Sequence, residues 1–102
     1  MRLNDLIKQV CAEAVVTWGA QAQLCKASEE ATELANAVNH YDGSMAAREK
    51  ILDEMVDCGL MIEQLKMLLE VTPAELLVKQ KFVIASLQIK MARHKNAVDL
   101  GR

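Results

Sequence analysis

Between Ile51 and Leu69 the apolar residues fall alternately four and three apart, at Ile51, Met55, Cys58, Ile62, Leu65 and Leu69. Such a spacing forms one continuous face only on a helix laid along another helix, so this stretch commits the chain to helix-on-helix packing. With about 100° of rotation per residue, Leu24, Ala27, Ala31, Leu34 and Val38 form a second stripe. Composition agrees. Hydrophobic residues make up 52% of the chain, yet only Trp18, Tyr41 and Phe82 are aromatic. Alanine, leucine, methionine and valine do the filling, which favours helix. No run of alternating β-branched residues competes, so no strand is expected.

Four helices follow from the punctuation. The first is predicted over Leu3–Val16, with Asn4 as a candidate N-cap. Thr17-Trp18-Gly19 breaks it, glycine supplying the backbone freedom of a tight connection. The second spans Ala20–Asn39. The turn-rich Asn39-His40-Tyr41-Asp42-Gly43-Ser44 closes it, and so short a link makes the next helix antiparallel. That third helix is predicted over Met45–Glu70. Gly59 in its middle costs about 1 kcal/mol against alanine, which suggests close approach of a neighbouring helix. Thr72-Pro73-Ala74-Glu75 is a capping box with proline at the first helical position. It starts a fourth helix reaching Ala92 or beyond, with fraying expected from Arg93 onward. Leu76, Leu77, Val78, Phe82, Val83 and Ile84 cover more than one face of this helix, which therefore requires burial on more than one side. In 102 residues, read as a single domain 1–102 with a marginal core of its own, that points to a subunit interface.

Beside the two stripes lie acids at helical spacing. Glu30 and Glu33 are one turn apart on the second helix, and Glu54 and Asp57 one turn apart on the third. Four carboxylates at the margin of a packed seam repel one another and are costly to desolvate unless a cation joins them. Hard oxygen donors without histidine or cysteine suit Mg²⁺, or Mn²⁺, better than zinc. The same lack of histidine argues against a di-iron carboxylate bundle, which uses Glu-x-x-His pairs. The competing reading of each acid pair is a solvated helix face.

The net charge of −2 conceals an uneven distribution. Eleven acids and three bases occupy Glu29–Glu75, whereas six bases and one acid occupy Leu76–Arg102. An acidic middle suits cations and a basic end suits phosphates. A pI of about 5.6 without a broad basic face argues against nucleic-acid binding. Cys11, Cys25 and Cys58 are odd in number and lack Cys-x-x-Cys spacing, and no leader-type segment opens the sequence. They read as reduced thiols of a cytoplasmic protein, Cys58 as part of the core. No apolar run is long enough to span a bilayer.

Trp18-Gly19, then Lys26, then Glu29-Glu30-Ala31-Thr32-Glu33, a spacer, and Glu54-Met55-Val56-Asp57 together resemble the MazG-like all-alpha NTP pyrophosphohydrolases, over about residues 18–69. The resemblance implies an all-α, four-helix bundle-like fold that oligomerises through its helices as a dimer or a dimer of dimers. It implies Mg²⁺-dependent hydrolysis of a nucleoside triphosphate to the monophosphate and pyrophosphate. Carried over by motif position, Glu30, Glu33, Glu54 and Asp57 are the metal ligands, and Glu29 is an additional catalytic candidate that orients water or a second cation. Lys26 is a candidate phosphate contact or, alternatively, a simple ion-pair partner of Glu30 one turn away. Lys79, Lys81, Lys90 and Arg93 of the fourth helix are further phosphate candidates. Trp18 is a candidate base-stacking residue or a core or interface tryptophan. His40, in the link, is either a nucleotide contact or solvated. The rival functional class is a non-catalytic helical oligomerisation module, which predicts no metal dependence.

Overall fold

The computed structural model describes residues 1–101. They form four α-helices and, among the described residues, no strand: α1 (Leu3–Trp18), α2 (Ala20–Asn39), α3 (Met45–Leu68) and α4 (Pro73–Leu100). The chain divides into two compact units, Met1–Glu70 and Val71–Arg102.

In the first unit, Gly19 alone separates α1 from α2. Its φ of 86° and ψ of 159° lie in a region essentially reserved for glycine, and its N–H donates to the Val15 carbonyl at 2.8 Å. Asn4 is not the first cap: Arg2 holds that position without a side-chain hydrogen bond, and Asn4 already lies in the first turn. Between α2 and α3, Gly43 has a φ of 85°. Asp42 Oδ1 accepts from the Ser44 N–H at 2.9 Å, and Ser44 Oγ caps α3 by accepting from Ala47 N–H at 3.1 Å. Hydrogen bonding from Ser44, by its side chain first and then by its backbone N–H, holds the Asp42 carboxyl below its ordinary range. The third helix stops at Leu68, short of Glu70, which takes a left-handed φ of 52°.

Which line of each helix faces inward differs from the expected stripes by one residue. On α2, Gln23, Glu30 and Ala37 are buried with Ala27 and Leu34 partly so, while Leu24, Ala31 and Val38 are exposed. On α3, Glu54, Met61 and Gln64 are buried, whereas Met55, Ile62 and Leu69 are exposed. Glu30 and Glu54 therefore occupy the middle of the seam rather than its margin. Cys58, partly buried, donates its thiol to the Glu30 carbonyl at 3.1 Å across that seam. Cys11 of α1 packs on α3 in the same way, its thiol 3.6 Å from the Leu60 carbonyl. Gly59 is exposed, and a Cβ there would meet nothing within 4 Å; no close helix approach within the chain explains it.

Half of the buried residues of this unit are polar or charged: Gln23, Glu30, Glu54 and Gln64, against Cys11, Ala14, Ala37 and Met61. A core so poor in large apolar side chains supplies little hydrophobic stabilisation.

The second unit is α4. The expected capping box is present: Thr72 Oγ1 accepts from Glu75 N–H at 3.1 Å, and the Glu75 carboxylate accepts from Thr72 N–H at 3.4 Å. The helix continues through the segment expected to fray, reaching Leu100; Ala, Arg, Lys and Leu in that stretch are good helix formers. None of its residues is buried. No helix among the described residues is long and apolar enough to cross a membrane.

Candidate functional site

Glu30 and Glu33 project from the middle of α2, Glu54 from the first half of α3. One oxygen from each lies within 4.8 Å of the other two. Their environments are unequal. Glu30 and Glu54 retain only 6% and 4% of their exposure, whereas Glu33 is exposed. Each buried carboxylate has one oxygen on a lysine one turn earlier: Lys26 Nζ to Glu30 Oε1 is 3.1 Å, and Lys50 Nζ to Glu54 Oε1 is 3.0 Å. The other oxygens, Glu30 Oε2 and Glu54 Oε2, are buried with no hydrogen-bond partner. Buried polar atoms are nearly always partnered, so two orphaned carboxylate oxygens in one group call for a cation or a proton donor between them.

Electrostatics reflect the crowding. The charge of Glu30, then desolvation and the charge of Glu54, push the Glu33 carboxyl above its ordinary range. Lys26 and Lys50 are pushed up chiefly by their hydrogen bonds to Glu30 and Glu54. Burial first, and then the surrounding carboxylates, raise the Cys58 thiol. The Cys58 thiol donates to the Glu30 carbonyl and does not belong to the carboxylate trio.

Two recesses flank the carboxylates. One, of about 480 Å³, is bordered by Trp18, Gln23, Glu30, Asp57, Met61 and Gln64. The other, of about 380 Å³, is bordered by Glu33, Asn36, His40 and Lys50. Both volumes lie in the range of small-molecule sites.

The expected residues are distributed accordingly. Glu30, Glu33 and Glu54 come together. Asp57 stands outside that trio and is exposed, bordering the first recess with Glu30. Glu29 faces away to solvent, 3.7 Å from Lys26. Trp18 is two-thirds exposed at the first recess and is not a core residue of the chain. His40 lies at the second recess, with Nδ1–H donating to the Asn36 carbonyl at 2.7 Å. Lys79, Lys81, Lys90 and Arg93 are exposed on α4, in the other unit.

Sequence reasoning missed Lys50, Gln23 and Gln64. The first was legible, since Lys50 precedes Glu54 as Lys26 precedes Glu30. The two glutamines carried no signal, because nothing in their local sequence distinguishes a buried amide from a solvated one. Compared with models of known protein families, with curated proteins and with solved structures, the chain gives no match.

Proposed function

We propose that this chain is a Mg²⁺-dependent nucleoside triphosphate pyrophosphohydrolase, as its resemblance to the MazG-like family implies. The observation that carries the reading is the pair of buried, unpartnered oxygens of Glu30 and Glu54, with Glu33 beside them. An all-oxygen anionic donor set suits a hard divalent cation, with Mn²⁺ as a substitute. Glu30, Glu33 and Glu54 would hold the ion, and Asp57, one turn beyond Glu54, is the remaining carboxylate of the motif. When bound, the metal neutralises the triphosphate and lowers the pKa of a coordinated water.

The chain's own groups complete the chemistry. Lys26 and Lys50 hold one oxygen of each buried acid, and their half-exposed ammonium groups are free to turn to phosphate oxygens. Glu33, exposed and raised in pKa, is suited to positioning water. Glu29 stays at the solvent side of Lys26 and has no direct part.

Oligomerisation belongs to the same reading. The α4 side chains Leu77, Val78, Phe82, Val83, Ile84 and Leu87 are exposed, as are Met55 and Ile62 of α3. Apolar surface on this scale favours association, in a dimer or a dimer of dimers. In such an assembly the bases of α4 would meet the phosphates of a neighbouring copy's ligand. The same exposure favours the second reading, a non-catalytic oligomerisation module.

Calorimetric titration with Mg²⁺, followed by chromatography of the products of ordinary and modified triphosphates, tests both. Metal binding with release of monophosphate and pyrophosphate is expected. Nucleoside diphosphate as the product refutes the proposed bond cleavage, and an assembled protein without Mg²⁺ binding leaves the oligomerisation module.

A further inference from the structure

We propose that α4 is an antiparallel dimerisation helix, pairing along one face with α4 of a second copy about a two-fold axis between Ala85 and Ser86. The inference deepens the association proposed above by assigning its surface and register, and it draws on no step of the hydrolysis.

None of the 28 residues of α4 is buried, and its apolar side chains lie on two opposite faces. At about 100° per residue, Leu77, Gln80, Ile84, Leu87, Met91 and His94 follow one another three and four apart down one of them. This repeat keeps a single face turned to a partner helix over a long distance. Val78, Phe82, Ala85, Ile89 and Ala92 form the opposite line, which its alanines make less bulky. On the first line Leu77, Ile84, Leu87 and Met91 are all about half exposed.

A second copy fits this line. Turned about the two-fold axis, the face sets Ile84 against Leu87, Gln80 against Met91 and Leu77 against His94 of the other copy. Every layer of the seam then contains a large apolar side chain, and neither polar residue meets its own kind.

The flanking lysines fix direction and register. In this pairing Lys81 lies beside Gln88 of the second copy and Lys90 beside its Val83, so no two bases meet. Sliding one helix by seven residues in one direction brings Lys81 against Lys81, and in the other direction Lys90 against Lys90. A parallel pair in register sets Lys90 against Lys95 on both sides of the seam, with Gln80 and His94 each against itself. Like charges across a helix seam are destabilising, and of these arrangements only the first avoids them. Opposed helix dipoles favour it further.

Cysteine cross-linking and sedimentation equilibrium of the full chain test the pairing. Chains carrying Gln80→Cys or Met91→Cys alone should not link through the new thiol, because antiparallel copies of one position are offset by eleven residues, roughly 16 Å of helix rise, beyond the reach of a disulfide. Mixed and oxidised, the two chains should join position 80 to position 91, identified by the mass of the linked peptides. Ile84→Glu, beside the axis and so present twice in the seam, should weaken dimerisation at least about hundredfold with helix content retained by circular dichroism. Phe82→Glu, on the opposite line, should leave a dimer. Links of 80 to 80 or 91 to 91 overturn the antiparallel pairing, and a missing link of 80 to 91 overturns it whether or not Ile84→Glu folds. A dimer that tolerates Ile84→Glu removes this seam and leaves the association above to other surfaces. A monomer at every concentration removes the seam and that association together, while Mg²⁺ binding and product analysis judge the hydrolase reading separately.

Discussion

Replacing Glu54 with glutamine should make the metal-free protein more stable and abolish its stabilisation by Mg²⁺. Glu54 and Glu30 are both more than nine-tenths buried, with oxygens no more than 4.8 Å apart. At that separation two unit charges repel by about 3.5 kcal/mol for an effective dielectric of about 20. Lys26 and Lys50 cancel part of this, and Glu54→Gln also gives up the Lys50 contact, whose half-exposed ammonium returns to water at little cost. A net gain of roughly 1–2 kcal/mol remains, and each kcal/mol moves the melting temperature of a domain this size by about 4–8 °C. Urea and thermal unfolding in EDTA measure the gain. The same curves in Mg²⁺ should show the parent protein rising by about 2.7 kcal/mol at a hundredfold excess over its Kd, and the variant not at all. A variant that is destabilised in EDTA yet gains as much from Mg²⁺ as the parent refutes the argument that these carboxylates are held together for a cation.

Other consequences are equally direct. Because Glu33 has a carboxyl raised above its unfolded value, the folded state binds more protons between the two pKa values; metal-free stability should fall as pH rises through that window and remain lower above it. Glu33→Gln should flatten the decline, and Mg²⁺ should do the same in the parent protein, both read from unfolding midpoints across the acid range. Gly19→Ala forces a side chain into a φ of 86° and should cost about 1–3 kcal/mol in urea unfolding; an unchanged midpoint would mean that the α1–α2 connection relaxes. Thr72→Ala removes the capping-box acceptor at Glu75 N–H and should weaken α4 by about 1 kcal/mol, seen as faster amide exchange in its first turn.

Much of the fold is legible in local signals. The boundaries of α2 follow from Gly19 and the Asn39–Ser44 turn, and the start of α4 from Thr72-Pro73-Ala74-Glu75, because caps and turns are interactions among residues close in sequence. The grouping of Glu30, Glu33 and Glu54 was legible too, since i, i+3 spacing on consecutive antiparallel helices puts acids on facing surfaces. Asp57 was less so: one turn along α3 carries it out of the trio, where only the actual separation and rotation of the helices count.

That rotation is what tertiary structure decided. On α2 the lines Leu24, Ala27, Ala31, Leu34, Val38 and Gln23, Ala27, Glu30, Leu34, Ala37 share two members and differ by one position in the others. On α3, likewise, Met55, Ile62 and Leu69 stand one residue from Glu54, Met61 and Leu68. Helical periodicity determines that such stripes exist, because every residue advances by the same angle. Which of two adjacent stripes turns inward depends on what the neighbouring helices present. Here small alanines and the three-helix packing draw the charged and amide side chains into the seam and leave leucine, valine, isoleucine and methionine outside, which gives the chain both its buried carboxylates and its apolar surface.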